Sequence, residues 1–118
     1  MTEPCRVHSL AEARAVVTAA KANGETAMLE SPPAAAGYQG IGWWRALVAA
    51  LVEEFPDQAI DAVLDCGSAP GHALEALRAD VKTVRLDADA ETLAALDQIA
   101  AALGGVVLRK KPSFRQEA

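Results

Sequence analysis

The chain has 118 residues, the size of one domain, so it can build one hydrophobic core but not two independent ones. Hydrophobic residues make up 52% of it and aromatic residues only 4%, which predicts a core of close helix contacts with few large side chains. The net charge of −5 argues against nucleic acid or an anionic membrane as the main partner, because both require a basic surface.

Hydrophobic periodicity predicts an alternation of strands and helices along the chain. Five strands are predicted, at residues 5–8, 26–29, 59–65, 81–86 and 106–108. Helices are predicted in the intervals, at residues 10–23, 43–55 and 69–79, and a fourth helix after residue 87 or 89 carries Leu93, Leu96, Ala100 and Leu103. Residues 31–42 form the longest irregular stretch, because Pro32 and Pro33 prevent the second strand from continuing.

Capping residues mark several of these helix ends. Ser9 is predicted to be the N-cap of the first helix, with Glu12 reaching back in a capping box. Asn23 and Gly24 end that helix in the usual way. Ser68 is expected to be the N-cap of the third helix. Asp87 or Asp89 is expected to be the N-cap of the fourth helix, and the glycine pair at residues 104–105 is expected to end it.

Alternating strands and helices predict a parallel sheet with helices packed on it. We therefore expect a single α/β domain over residues 1–110, with four to five mostly parallel strands and about four helices. Both a flavodoxin-like sandwich and an architecture resembling half of a barrel fit this pattern. Residues 111–118 are predicted to be a polar C-terminal tail.

The two cysteines, Cys5 and Cys66, lack metal-type spacing and are expected to be reduced thiols in a cytoplasmic protein. The N-terminus lacks the pattern of a secretory signal, and no apolar stretch is long enough to cross a membrane. With only His8 and His72 and no convincing acidic ligand spacing, no metal site is predicted.

A ligand site is expected at the carboxyl ends of the strands, where open α/β sheets bind their ligands. Three connections leave those ends, at residues 31–42, 67–71 and 87–89, and in a parallel sheet all three open at one edge. The small molecule that this edge would take is left open by the sequence. The candidate binding residues there are Asp65, Gly67, Ser68, Gly71, His72 and Asp87.

Each candidate has a functional and a structural interpretation. Asp65 is suited either to hold a ligand hydroxyl or amine, or to accept hydrogen bonds from the backbone of the next turn. His72 is a candidate acid or base, although a lone histidine at a helix start is more often a surface residue. Cys66 lies near a helix N-terminus, which can activate a thiol, but a buried structural cysteine is the more frequent case.

The long loop carries a second group of candidates: Tyr38, Trp43 and Arg45. They could contact a ligand as part of a mobile lid. Alternatively, Trp43 and Tyr38 cover apolar surface or contact a partner subunit in a homodimer. The basic run at residues 109–111 is interpreted as solvated surface.

Residues 63–71 (Val-Leu-Asp-Cys-Gly-Ser-Ala-Pro-Gly) resemble the first motif of Rossmann-like S-adenosylmethionine-dependent methyltransferases, most closely the ribosomal RNA methyltransferase version. The resemblance implies that Asp65, Gly67 and Gly71 line the cofactor and that Asp87 holds its ribose. The chain departs from the family where His72 replaces a second glycine. The segment after Asp87 is also too short for the further strands and catalytic residues that the family has. In addition, the first sixty residues form strand–helix units that the family pattern does not include.

Three functions are compatible with these features. The leading hypothesis is a non-catalytic ligand-binding or regulatory module, because no catalytic constellation is evident. The second is an enzyme or degenerate enzyme that binds S-adenosylmethionine or a phosphorylated metabolite. The third is a homodimeric scaffold protein.

Overall fold

The computed structural model describes residues 4–110 and confirms a single α/β domain. Its sheet has five strands, all parallel: β1 (Cys5–Arg6), β2 (Ala27–Glu30), β3 (Ile60–Asp65), β4 (Thr83–Leu86) and β5 (Val106–Arg109). The helices of the described range are α1 (Leu10–Asn23), α2 (Ala35–Tyr38), α3 (Ile41–Glu54), α4 (Pro70–Arg78) and α5 (Ala90–Leu103).

The strands lie side by side in chain order, β1-β2-β3-β4-β5. Right-handed crossovers between sequential parallel strands place all the connecting helices on one face of the sheet. A flavodoxin-like sandwich instead changes direction within the sheet, has the order 2-1-3-4-5 and carries helices on both faces. The observed order therefore matches the half-barrel-like alternative.

The two faces of the sheet differ in chemistry. On the helix side, the paired residues Leu64, Val84 and Val107 are buried in the hydrophobic core. On the other side, two rows of paired residues carry charges: Arg6–Glu30–Val63–Thr83–Val106 and Asp65–Arg85–Leu108. The core is thus confined to one face, and the second face is available for polar chemistry.

Local capping was predicted well for α1 and α5. Ser9 Oγ accepts a hydrogen bond from the backbone N–H of Glu12 (3.1 Å), and Asp89 Oδ1 accepts one from Thr92 (2.7 Å). The Glu12 carboxylate does reach back, but its acceptor bond comes from the N–H of His8 rather than from the cap itself. Asp89, not Asp87, is the cap of α5.

Other predicted details were wrong. The N-cap of α4 is Ala69, with no side-chain cap, so Ser68 does not cap this helix. A short helix, α2, occupies part of the stretch predicted to be irregular. Strand β4 begins at Thr83, because the N–H of Val81 bonds to Ala76 O (3.0 Å) and Asp80 adopts a left-handed φ of 71° to close the end of α4.

The predicted tail, residues 111–118, lies outside the described residues. Within residues 4–110, none of the helices has the length and hydropathy needed to cross a membrane.

Candidate functional site

The three connections predicted to share one edge of the sheet do meet there. Asp65 Oδ1, at the end of β3, accepts hydrogen bonds from Ala34 N (3.1 Å) in the loop after β2 and from Gly67 N (2.8 Å) in its own turn. The N–H of Asp87, just after β4, donates to Gly67 O (2.9 Å). The carboxyl ends of three neighbouring strands are thereby joined through one short turn.

A cleft of about 350 Å³ opens over this junction. Its wall combines strand ends with loop residues, including Arg6, Ala34, Gly67, Ser68, Asp87 and Lys110. The volume lies in the range of about 300–1,000 Å³ that is usual for small-molecule sites. The position is also the one that parallel α/β folds use for ligands, because their loops gather there.

The floor of the cleft is a network of charges on the open face of the sheet. Glu30 is completely buried and accepts two hydrogen bonds from Arg85, from Nε (2.7 Å) and from Nη2 (3.0 Å). Arg6 Nη2 lies 3.8 Å from Glu30 Oε2 and 3.3 Å from Asp65 Oδ2, and Arg85 Nη1 also donates to Arg109 O (2.7 Å). Within residues 4–110, all buried side-chain N and O atoms have hydrogen-bond partners. The network therefore fixes the arginines before any ligand arrives.

Asp65 acts as a structural group in this arrangement. Its Oδ1 accepts from two backbone N–H groups and its Oδ2 lies against Arg6, while its own N–H donates to Ser31 Oγ (2.9 Å). Of the two interpretations left open by the sequence, the geometry matches acceptance of backbone hydrogen bonds from the following turn.

Gly67 is required by the geometry of the turn. Its φ is +61°, a left-handed value that favours glycine, and a Cβ at this position would lie 2.9 Å from Ala34 Cβ. The turn can therefore approach the loop after β2 only with glycine at this position. Gly71, in the first turn of α4, meets nothing within 4 Å and has no such requirement.

Cys66 is buried at the end of β3 and is not an activated nucleophile. Burial raises the pKa of the Cys66 thiol to about 12, and the neighbouring Asp65 charge acts in the same direction. These effects outweigh any activation by the start of α4. The structural interpretation of this cysteine therefore fits.

The predicted site residues separate into two groups. Asp65, Gly67, Ser68 and Asp87 line the cleft. Gly71 and His72 do not line it; the His72 ring lies against α2, with Cε1 3.0 Å from where a Cβ on Gly37 would lie.

The loop candidates do not line the cleft either. The Tyr38 side chain is 64% exposed on α2. Trp43 is half-buried, packs against the core and stacks at a tilt on Trp44 with ring centroids 5.6 Å apart. Arg45 lines a different cleft, at the other end of the sheet.

The sequence reasoning missed three basic residues that line the cleft: Arg6, Arg85 and Lys110. Arg85 could have been found from the alternation Thr-Val-Arg-Leu in β4, which points every second side chain to the face away from the helices. Lys110 belongs to the run interpreted as solvated surface. Its Nζ lies 3.6 Å from Asp87 Oδ2, so it reaches into the cleft.

Among residues 4–110, no group of three or more His, Cys, Asp or Glu side chains is placed to hold a metal ion. A scan against protein-family models found no match for this chain, and a search of curated proteins found no significant relative.

Proposed function

We propose that this chain is a small, non-catalytic ligand-binding module whose ligand occupies the cleft at the carboxyl ends of the strands. The observation that carries the proposal is the convergence of three cations, Arg6, Arg85 and Lys110, with the carboxylates of Asp65 and Asp87 around one concave volume. Such a mixed lining suits a polar metabolite with both hydrogen-bond donors and acceptors.

The lining has a fixed part and an adjustable part. The Arg85 side chain is only 11% exposed and is hydrogen-bonded to the completely buried Glu30, so it forms a rigid part of the lining. Lys110 and Asp87 form a looser pair whose side chains are both more than half exposed. A surface pair of this kind contributes little stability, so a ligand can separate it and satisfy each partner at low cost.

Ser68 adds a hydroxyl group to the wall. This side chain is exposed, lines the cleft and, within residues 4–110, forms no hydrogen bond. It can therefore either donate to a ligand or accept from one.

The non-catalytic assignment rests on what the lining lacks in the described part of the chain. The Cys66 thiol is buried with a raised pKa, His72 lies away from the cleft, and the Asp65 carboxylate is occupied by backbone N–H groups and Arg6. A hydrogen-bonded nucleophile and base therefore do not occur together in the cleft within residues 4–110.

A second candidate is an enzyme or degenerate enzyme that binds S-adenosylmethionine or a phosphorylated metabolite. The observation in its favour is that the Gly67 turn and Asp87 line the same cleft and are joined by a backbone hydrogen bond of 2.9 Å. Under this alternative Asp87, with its side chain more than half exposed, would meet the ribose.

Both candidates are tested by a thermal-shift screen against S-adenosylmethionine, its demethylated product, nucleotides, phosphorylated sugars and polar metabolites. A ligand at a hundred times its Kd stabilises the folded state by about 2.7 kcal/mol. We expect Asp87→Asn and Lys110→Gln to weaken any hit, because both residues line the cleft. Asp57→Asn, an exposed residue after α3, is the matched control.

The outcomes separate the candidates. A hit that both cleft variants bind as tightly as the parent chain, or a screen without any hit, would refute the cleft as the ligand site. A hit on S-adenosylmethionine with turnover in an added-acceptor assay would favour the enzyme, whereas binding without turnover favours the module.

A further inference from the structure

A second cleft, of about 400 Å³, lies between α3 and the residues that lead into β4. That volume is within the range of about 300–1,000 Å³ that is usual for small-molecule sites. The cleft shares no lining residue with the charged cleft at the carboxyl ends of the strands. Its apolar lining consists of Trp44, Val48 and Ala49 on α3, Ile60 and Ala62 on β3, and Val81.

A gap in the helix layer explains why this space exists. Helix α1 packs directly against α3, and α4 packs directly against α5, but α2 lies between α3 and α4 and contacts both. Helix α2 has only four residues and follows the Ala34 N–H that binds Asp65 at the carboxyl end of β3. Farther along β3, toward its first residues, the space between α3 and α4 therefore stays open.

The alternation of side chains along β3 decides which groups face this gap. Ile60 and Ala62 share the face of Leu64, which lies in the core toward the helices, whereas Asp61 shares the opposite face with Val63. The Asp61 carboxylate therefore lies away from the apolar interior, although the residue is part of the strand that borders the cleft.

The remaining charged residues of the lining are Arg45, Asp80 and Lys82. Lys82 Nζ lies 4.0 Å from Asp80 Oδ1, so these two charges offset each other. Arg45 is exposed, and within residues 4–110 it forms no hydrogen bond or ion pair. In the same range every arginine except Arg45 and Arg78 is paired with a carboxylate, and Arg78 lies outside the cleft.

We propose that this second cleft binds a small apolar monocarboxylate, that is, an aromatic or medium-chain aliphatic acid. The Arg45 guanidinium at the rim donates two parallel hydrogen bonds to the carboxylate. The hydrocarbon part lies on Val48, Ile60 and Ala62, which are apolar side chains that the fold leaves half-buried. Removal of this apolar surface from water supplies the affinity, and the ion pair supplies the selectivity.

The charge of the lining favours this ligand over other apolar compounds. An apolar amine would place its ammonium group beside Arg45, where like charges repel. A phosphate monoester would bring a second negative charge close to Asp80, in a chain whose net charge is already −5. This site is separate from the cleft of the proposed function, and neither proposal depends on the other.

The test is an NMR titration of the ¹⁵N-labelled full chain with 4-phenylbutyrate and with octanoate. We expect saturable shifts at the backbone amides of Val48, Ala49 and residues 60–62. Two analogues probe the charge: 4-phenylbutanamide, which is neutral, and 4-phenylbutylamine, which is a cation. Each should bind at least about fivefold more weakly than 4-phenylbutyrate, because the charged hydrogen bonds with an exposed arginine are lost.

Arg45→Gln should weaken the binding of 4-phenylbutyrate by about fivefold or more and leave the binding of the amide unchanged, so that the difference between the two ligands disappears. Arg78→Gln removes an equally exposed and unpaired arginine outside the cleft and should change neither affinity.

A second pair of variants tests the apolar interior. Ala49→Phe fills the cleft from an exposed position on α3 and should abolish saturable binding. Ala46→Phe, at an exposed position of the same helix that does not line the cleft, is the matched control and should bind normally. Because Arg45 is exposed and unpaired, Arg45→Gln keeps the fold and tests the proposal even if the phenylalanine variants are destabilised.

Four results would each overturn the proposal. They are equal affinity for the acid and the amide, an acid–amide difference that persists in Arg45→Gln, unchanged binding in a folded Ala49→Phe chain, and the absence of any saturable shift up to the solubility limit.

Discussion

Glu30 is the residue at which the charge network can be tested most directly. Its side chain is completely buried, and the Arg85 side chain that donates two hydrogen bonds to it is only 11% exposed. Replacing Glu30 with glutamine keeps the shape but removes the negative charge, which leaves the largely buried Arg85 guanidinium without the carboxylate that neutralises it. Breaking a buried pair in this way costs about 3–5 kcal/mol.

The expected loss is large compared with the stability of a domain of this size, which is about 5–15 kcal/mol. Urea unfolding followed by the fluorescence of the tryptophans, of which Trp44 is buried, measures it. With a slope of about 2 kcal/mol per molar urea, the midpoint of Glu30→Gln should fall by roughly 1.5–2.5 M. The slope itself should not change, because the same surface becomes exposed on unfolding.

Two further variants separate the charge effect from packing. Arg6→Gln should cost only about 1 kcal/mol, because the Arg6 side chain is 34% exposed and its ion pairs are screened by water. Replacing both partners, Glu30→Leu with Arg85→Met, should cost less than Glu30→Leu alone, since no unpaired buried charge remains. A midpoint for Glu30→Gln within about 0.5 M of the parent chain would refute this reasoning.

Three other predictions concern the turn, the thiols and a helix cap. Gly67→Ala should destabilise the fold by about 1–3 kcal/mol in thermal unfolding, because Gly67 has a positive φ and a Cβ there would contact Ala34. Gly71→Ala should be neutral or stabilising, because a Cβ at this position on α4 meets open space. Equal effects of the two substitutions would contradict the assigned geometry. Iodoacetamide at pH 8 should label Cys5 alone in the folded chain and Cys66 only after unfolding, which mass spectrometry can show. The reason is that Cys5 is exposed, whereas Cys66 is buried and its pKa is raised from 9.0 to about 12. Rapid labelling of Cys66 in the folded chain would contradict its burial. The hydrogen bond from Thr92 N lowers the pKa of Asp89, so its stabilising effect is present above the ordinary aspartate pKa and is lost as pH falls through the lower native value. The Tm difference between the parent chain and Asp89→Ala should therefore shrink on acidification, and a difference that grows would exclude this origin.

Much of the fold could be predicted from the sequence because its signals are local. The apolar run that became β3, the caps Ser9 and Asp89, and the glycines at the ends of α1 and α5 each act within a few residues of chain. The strand order could not be predicted, because the same alternation of strands and helices is compatible with windings in one direction or in two. The strand order depends on how the helices and strands pack in three dimensions, which local sequence signals do not determine.

The site was predicted in position but not in chemistry. The meeting of the three loops follows from parallel strands alone, and it was expected. The pairing of Glu30 with Arg85 was not expected. The two residues lie on β2 and β4, which are not neighbours, and only the strand register brings them together across β3. Helix α2 was missed because Ala34 before it has a φ of +57°, a value that is rare for a residue other than glycine.

The bonds of Asp65 give the strand–glycine turn–helix segment a structural purpose that does not require a ligand. One carboxylate oxygen binds the N–H groups of Ala34 and Gly67 and so connects two loops. An asparagine at this position can still accept both backbone bonds through Oδ1. It loses the charge interaction and the hydrogen bond from the partly exposed Arg6, so Asp65→Asn should cost about 1 kcal/mol.

Asp65→Ala removes the acceptor as well, and two backbone N–H groups in a partly buried turn lose their partner. We expect it to cost about 2–4 kcal/mol in urea unfolding of the ligand-free chain. If the alanine and asparagine variants are equally stable, the hydrogen bonds do not hold the turn, and the acid is more simply explained by a ligand. If alanine costs the larger amount without any ligand present, the sequence pattern of acid, glycine and helix start is accounted for by folding, and binding must be measured at Asp87 and Lys110 instead.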